Sequence, residues 1–160
     1  MTREEEIAIE WDVQKVMSEF YHYVDQGEFE NAANLYVEDA NWESMSHKLK
    51  GRDNILKALH GGLTDGTIRH VQTNTVVTVI DNDHAEARWY STVYYSNEGR
   101  IENSDGPLPF KGPHRVQDFH TAAMRTPDGW RFTSRKSQLI FRRPDEDPIP
   151  FETWAENKPT

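Results

Sequence analysis

His70 and Asp25 are the two residues of this sequence whose side chains could together support catalysis without a cofactor. An imidazole can remove a proton from carbon, or donate one to a leaving group, near neutral pH. A carboxylate bonded to the other ring nitrogen would fix the tautomer and stabilise the imidazolium. The two residues lie far apart in the sequence and form no motif. An exposed aspartate and a structural histidine are therefore the alternative interpretation.

Asp25 lies at the end of a predicted helix. Apolar residues recur at helical spacing over residues 4–26, and Gly27 follows as a helix stop. Tyr21 lies one turn before Asp25 on the same face. A carboxylate at this position meets the unfavourable end of the helix dipole and needs a cationic or hydrogen-bonding partner. A histidine would meet that need.

His70 lies in a segment rich in threonine, valine and isoleucine, which predicts a strand over residues 67–80. Alternation along a strand places five side chains on one face. These five are Ile68, His70, Gln72, Asn74 and Val76. The three consecutive polar side chains on that face indicate either solvent or a pocket with a polar lining.

The order of the predicted elements indicates an α+β fold. Helices are predicted at 4–26, 29–37 and 51–60, and strands at 40–45, 67–80, 85–95, 115–125 and 130–142. Helices segregated from antiparallel strands are typical of this class. A long, curved sheet with the first helix across its concave face would leave a cavity between them.

One domain is predicted over residues 1–143, followed by an acidic, proline-rich tail over residues 144–160. The tail contains Ile149, Phe151 and Trp154 within an otherwise polar segment. Such residues suggest that the tail docks, either as a lid over the pocket or on a neighbouring subunit. A frayed terminus is the alternative.

Further side chains are candidates for the same pocket. His120 is a candidate second pocket histidine, and Tyr21 could donate a phenolic hydrogen bond to a substrate oxygen. Four aromatic residues are expected to bind substrate or to fill the core, namely Tyr36, Trp42, Trp89 and Phe119. Four histidines next to turns or polar residues are expected at the surface, namely His47, His60, His84 and His114. No histidine spacing is typical of a metal site, so none is predicted.

Composition excludes several classes of function. The net charge of −9 argues against nucleic acid and anionic membranes as partners, and the absence of cysteine excludes disulfides and thiolate catalysis. Neither a signal peptide nor a membrane-spanning segment is visible, which predicts a cytoplasmic protein. The nucleotide-binding and serine-hydrolase motifs are also missing. We therefore expect no cofactor. The aromatic side chains that are candidates for the pocket would suit a small hydrophobic ligand.

Five short segments, in order along the chain, resemble those of a known family. They are YHYVDQGEFE at 21–30, LYVEDANW at 35–42, GRDNI at 51–55, RHVQTN at 69–74 and DGWRFTSR at 128–135. With them the chain resembles the SnoaL-like branch of the nuclear transport factor 2-like superfamily. This group contains scytalone dehydratase, bile-acid 7α-dehydratase and hexachlorocyclohexane dehydrochlorinase.

The resemblance implies a cone-shaped, cystatin-like barrel in which a curved, mixed or antiparallel sheet wraps around three N-terminal helices. It also implies a homodimer or a homotrimer. In the eliminating members, the residues that match Asp25 and His70 form the catalytic pair, and His120 lies close to a second family histidine. Arg125 and Arg135 are loose counterparts of a basic residue that assists the leaving group, and Arg135 is expected to bind substrate.

Three functions are compatible with this resemblance. The first is a cofactor-independent lyase that releases water, halide or formaldehyde from a small cyclic or aryl substrate. The second is an isomerase or cyclase of the steroid or polyketide type, which needs the same acid and base. The third is a non-catalytic cone that binds a ligand or acts as a scaffold; the presence of both Asp25 and His70 argues against it.

Overall fold

A computed structural model of the chain describes residues 1–44, 47–62 and 66–145. Within these ranges, three α-helices and two shorter strands precede four long strands. The helices are α1 (Arg3–Gln26), α2 (Phe29–Asn34), α3 (Arg52–Gly62) and a short 3₁₀ helix (Ile101–Asn103). The strands are β1 (Tyr36–Glu43), β2 (Lys48–Lys50), β3 (Thr67–Val79), β4 (His84–Ser96), β5 (Arg115–Thr126) and β6 (Gly129–Arg142).

The strands form one mixed sheet in the order β2-β1-β6-β5-β4-β3. β1 runs parallel to β6, and the other neighbouring strands are antiparallel. The long helix α1 packs against this sheet, chiefly on β3. The predicted α+β fold, with three α-helices and a mixed sheet, is confirmed. β2 was not predicted because three residues are too few to show an alternating pattern.

The ends of α1 follow signals in its sequence. Thr2 and Glu5 form a capping box, in which the Glu5 N–H donates to the Thr2 hydroxyl at 3.2 Å and the Thr2 N–H donates to the Glu5 carboxylate at 2.7 Å. At the other end Gly27 closes the helix with a φ of 77°, in the left-handed region. The buried residues of α1 are Ile9, Val13, Val16, Met17, Phe20, Tyr21 and Val24. None of the described helices, α1 included, is long and apolar enough to cross a membrane.

The predicted boundary between the second helix and the first strand is wrong. The helix was expected to continue to residue 37, but α2 ends at Asn34 and Tyr36 already belongs to β1. Tyr36 pairs with Phe132 of β6, and the Phe132 N–H donates to the Leu35 carbonyl at 2.8 Å. Both aromatic side chains are buried in the core. Long-range pairing therefore overrides the local helical spacing.

A bulge in β3 corrects the predicted face of Val76. Asn74 has a φ of 54°, and the pairing of β3 with β4 shifts between Thr73 and Val76. A residue inserted in one strand reverses the alternation beyond it. Val76 is therefore 62% exposed, while Val77 packs against the core. The predicted common face holds for His70 and Gln72 and ends at the bulge.

Two of the four histidines expected at the surface are buried. His114 precedes β5, where its N–H donates to the Val93 carbonyl at 2.7 Å and ties it to the sheet. His47 packs edge-on against Trp42, with ring centroids 5.1 Å apart. In both cases tertiary packing overrides the polar sequence context. The two others, His60 and His84, are exposed, as predicted.

Most of the predicted tail lies outside the described residues. Pro144 and Asp145 form a turn after β6. Residues 146–160, with the three apolar side chains that suggested a lid or a subunit contact, are not among the residues described.

Candidate active site

Asp25 and His70 are in direct contact where α1 meets β3. The His70 Nδ1 atom lies 2.6 Å from Oδ1 of Asp25, and the His70 backbone N–H donates to Oδ2 at 2.9 Å. The His70 side chain is 9% exposed and the Asp25 side chain is 11% exposed. Because a carboxylate only accepts hydrogen bonds, Nδ1 carries the ring proton and Nε2 is the free nitrogen. Nε2 has no hydrogen-bond partner among the described residues.

The Arg69 side chain connects the end of α1 to β3 through backbone carbonyl groups. Nη1 of Arg69 donates to the Asp25 carbonyl at 3.1 Å and to the Ile68 carbonyl at 2.7 Å. The turn at Gly27 ends the helix two residues after Asp25. A cleft of about 260 Å³, open solvent included, runs along this junction and is lined by Asp25, Arg69 and Arg100 among others. Asp25 at the end of α1 is thus bonded by two residues of β3, Arg69 and His70.

Burial controls the charge of His70. Desolvation lowers the pKa of His70 below its ordinary value, the hydrogen bond and charge of Asp25 oppose this effect, and the charges of Arg115 and Arg135 add to it. The imidazole is therefore neutral near neutral pH, with Nε2 able to accept a proton. Asp25 is placed to stabilise the imidazolium that would result.

Tyr21 lies directly over the histidine. Its ring stacks on the His70 ring with centroids 4.6 Å apart and an interplanar angle of 25°. The Tyr21 oxygen accepts hydrogen bonds from Nη2 of Arg135 at 2.7 Å and from Nε1 of Trp89 at 3.4 Å. Both of its lone pairs are therefore engaged. The hydroxyl proton has no acceptor among the described residues and is free to be donated to a ligand.

Arg135 is a buried cation without a carboxylate partner in the described part of the chain. It is 3% exposed, and it donates to Tyr21 and, at 3.4 Å, to the Tyr36 hydroxyl. Its guanidinium lies over the rings of Phe20 at 4.2 Å and Phe119 at 4.5 Å. Burial disfavours the charge, but the two tyrosines outweigh burial and raise the pKa of Arg135. The guanidinium therefore stays protonated.

The four predicted aromatic residues surround this guanidinium. Trp89 and Phe119 stack with their centroids 5.1 Å apart, and Tyr36 and Trp42 stack at 6.5 Å. All four are buried. The structure thus brings the predicted substrate-binding side chains together with Arg135, next to Tyr21.

His120 does not belong to this group, which corrects its interpretation as a second pocket histidine. Along β5 the side chains of Phe119 and Thr121 point inward and are buried, so His120 between them points outward. Its Nε2 lies 3.1 Å from Oε2 of Glu86, and its side chain is 42% exposed. Nor does any group of three His, Asp or Glu residues in the described ranges come together as a metal site.

Ser91 was not among the residues predicted for the site. This residue is fully buried in β4, between the inward-facing Trp89 and Val93, and it pairs across the sheet with Gln72 of β3. Its signal in the sequence was a serine within an alternating row of apolar side chains. The row alone does not show that Ser91 lies one strand away from the histidine strand.

Comparison with known families gives the class of the protein. The sequence profile of the SnoaL-like domain matches residues 5–136, which is most of the chain. The chain belongs to the SnoaL-like family, and the resemblance seen in the five segments is confirmed. A comparison with curated proteins gave no match.

Solved structures share the fold over nearly the whole chain. A candidate scytalone dehydratase from Novosphingobium aromaticivorans has a TM-score of 0.77 at 14% identity, over 92% of this chain and 95% of that chain. The hexachlorocyclohexane dehydrochlorinase LinA-type3 from Novosphingobium barchaimii has a TM-score of 0.68 at 15% identity, over 89% and 93%. An NTF2-like protein with a cystatin-like fold from Novosphingobium aromaticivorans has a TM-score of 0.66 at 24% identity, over 86% of both chains. At these identities the likeness shows the fold, which is the predicted α+β cone.

Proposed function

We propose that the protein is a cofactor-independent lyase that acts on a small, cyclic or aryl hydrophobic substrate. One observation carries this proposal: the buried 2.6 Å contact in which Nδ1 of His70 donates its proton to a hydrogen bond with Asp25, which leaves Nε2 of His70 free. This is the arrangement that a base needs in order to remove a proton from carbon. The names of two solved relatives, a candidate dehydratase and a dehydrochlorinase, both denote eliminations and are consistent with it.

In the proposed reaction, Nε2 of His70 removes a proton from a carbon atom of the substrate. The electron pair of the broken C–H bond becomes the new double bond, and the leaving group departs from the adjacent carbon with its own bonding pair. Tyr21 donates its proton to the leaving group, and Arg135 at 2.7 Å stabilises the resulting phenolate. Solvent then accepts the proton from His70 and returns one to Tyr21. The cycle needs no oxidant, reductant or metal.

The proposed substrate class follows from the side chains around Arg135. Flat aromatic surfaces, such as that of the stacked Trp89 and Phe119, favour a cyclic or aryl molecule over an extended polar one. The leaving group in this reaction is either water or halide. Release of formaldehyde would use the same base differently: Nε2 of His70 removes the O–H proton of a hydroxymethyl group, the C–C bond breaks, and its electron pair remains on the substrate carbon, which takes a proton from Tyr21.

The experiment that tests this proposal compares wild type with His70→Ala on a panel of aryl and alicyclic alcohols and halides. We expect turnover by wild type and a loss of at least about 100-fold in kcat/KM for the variant. His84→Ala is the matched control, because His84 Nδ1 also bonds an aspartate, Asp81, at 2.9 Å but on the surface. Turnover that survives in His70→Ala would contradict the proposal.

The mass of the product separates elimination from isomerisation. An elimination product is lighter than the substrate by the mass of the leaving group, whereas an isomerase or cyclase leaves the mass unchanged. Mass spectrometry of the reaction mixture therefore decides between the proposed lyase and the alternative that uses the same acid and base. Absence of both products with every compound of the panel would favour a cone that only binds its ligand.

A further inference from the structure

Two polar atoms beside the Asp25–His70 pair are buried without a hydrogen-bond partner. The Ser91 hydroxyl is fully buried and bonds to none of the described residues. The same is true of Oε1 of Gln72, whose Nε2 donates to the Thr75 hydroxyl at 2.9 Å. Ser91 and Gln72 are direct partners across the β3–β4 ladder. Side chains opposite each other in such a ladder have their Cβ atoms about 5 Å apart.

This pair lies on the same face of the sheet as the candidate base. Gln72 follows His70 by two residues on β3, which places the two side chains about 7 Å apart on one face. In the next strand, Ser91 lies between Trp89 and Val93, and Val93 is the cross-strand partner of His70. Gln72 is only partly buried as a residue, although its Oε1 atom is enclosed.

Such atoms destabilise the folded protein when nothing binds them. A buried polar group without a partner costs about 1–3 kcal/mol, and an apolar residue of similar size at position 91 would avoid that cost. The neighbours of Ser91 along the inward face, Trp89 and Val93, are both apolar and buried. The serine hydroxyl is therefore unexplained by packing.

We propose that Ser91 and Gln72 form a subsite that binds a hydroxyl group of the substrate. The Ser91 hydroxyl donates to the substrate oxygen, and Oε1 of Gln72 accepts the proton of that hydroxyl. A hydroxyl group is a donor and an acceptor at once, so it satisfies both atoms; a halogen or a hydrocarbon satisfies neither. The inference rests on the proposed function, and it narrows the substrate class to alcohols, phenols or enols.

In the proposed reaction, this subsite would orient the substrate relative to His70. A substrate held by its hydroxyl group at Gln72 and Ser91 presents the neighbouring carbon atoms toward Nε2 of His70. Ser91 and Gln72 then set which C–H bond the base reaches, and they are positioning residues for the proposed chemistry. Their removal weakens binding and orientation, while the base itself is intact.

The test uses three bicyclic probes of one carbon skeleton: β-tetralol, β-tetralone and tetralin. Binding to the full chain is measured by titration calorimetry, for wild type, Ser91→Ala and Thr121→Val. Thr121→Val is the matched control, because Thr121 also has a buried hydroxyl without a partner, on β5. Wild type should prefer the alcohol over the ketone and the hydrocarbon. Ser91→Ala should lose about 3- to 10-fold in affinity for β-tetralol and nothing for tetralin, while Thr121→Val keeps the preference of wild type.

A stability measurement separates a ligand-binding role from a structural one. If the hydroxyl serves the ligand, Ser91→Ala should unfold at the same temperature as wild type or at a higher one. A variant that unfolds earlier and keeps its affinity for β-tetralol would overturn the proposal. So would equal losses in Ser91→Ala and Thr121→Val, or a wild type that binds all three probes alike.

The outcome is independent of the catalytic proposal. Binding of β-tetralol is measured without turnover, so the subsite can be demonstrated in a protein that proves to have no lyase activity. Conversely, a chain that eliminates only halide and binds the alcohol no better than the hydrocarbon would retain the lyase function and lose the subsite.

Discussion

Replacing Asp25 with asparagine removes the negative charge of the pair and leaves the size and shape of the side chain almost unchanged. In the wild type, one carboxylate oxygen contacts Nδ1 of His70 at 2.6 Å and the other accepts the backbone N–H at 2.9 Å. The asparagine oxygen can keep only one of these two bonds. Its amide group can also donate to Nδ1, which would move the ring proton to Nε2 and block the base.

The size of the effect follows from the charge that forms during the reaction. When His70 accepts a proton, its imidazolium lies next to the carboxylate, and two unit charges about 4 Å apart attract each other by about 4 kcal/mol at an effective dielectric constant of ~20. Loss of that attraction corresponds to about 10³-fold in kcat. Asp25 also opposes the effect of burial on the pKa of His70. We therefore expect the pKa of His70 to fall further in Asp25→Asn.

The assay is kcat/KM as a function of pH with any substrate that wild type turns over. Asp25→Asn should lower the plateau by about 10³-fold and move the acid limb to lower pH. Asp81→Asn, at the exposed pair with His84, is the control and should change neither. A plateau within about tenfold of wild type, or an acid limb that moves to higher pH, would refute the assignment of Asp25 as the charge that stabilises the imidazolium.

Three further predictions follow from the same geometry. Burial lowers the pKa of His70 in the folded protein, so the unfolded chain binds the proton more readily. In urea titrations of wild type, the free energy of unfolding should therefore be constant above pH ~6.5 and decrease below it. The decrease should be smaller in His70→Ala. Tyr21→Phe keeps the stacked ring and removes the proton donor, so kcat should fall by about 10²-fold while KM changes little; equal kcat values would exclude Tyr21 as the acid. The outer face of the sheet carries two exposed apolar side chains, Val71 (44% exposed) and Phe141 (68% exposed). We propose that this face joins two or three copies of the chain. Phe141→Ser should lower the molar mass measured by light scattering, and the control Phe110→Ser, which lies outside the sheet, should leave it unchanged.

The elements were predictable where local signals agree with tertiary structure. Gly27 ends α1 because only a residue at ease with positive φ closes the helix there, and that signal is visible in the sequence. The β3 bulge at Asn74 was not visible, because asparagine is also a common turn residue and alternation gives no hint of an inserted position. The face of Val76 was wrong for this reason.

The members of the candidate site were harder to predict than the elements. Alternation shows that Phe119 and His120 lie on opposite faces of β5, but it does not show which face is inside. We predicted that His120 lies in the pocket, but it is Phe119 whose side chain points inward. Ser91 was missed for the opposite reason, because a small polar residue in an apolar row has no chemistry of its own until its neighbour across the ladder is known.

The position of the pair at the end of α1 explains how one histidine can be neutral at rest and stable when charged. Burial favours the neutral imidazole, since desolvation is the largest influence on the pKa of His70. The charge that forms on proton transfer, however, meets two fixed negative charges: the Asp25 carboxylate and the C-terminal end of the α1 dipole, equivalent to about half an electron charge. Arg69 compensates this end of the helix at the Asp25 carbonyl, 3.1 Å away, and so makes the cluster of negative charge tolerable at rest. Because these groups are fixed before the proton moves, in the proposed reaction they would stabilise the transition state without reorganisation, which is the condition under which electrostatic catalysis is most effective.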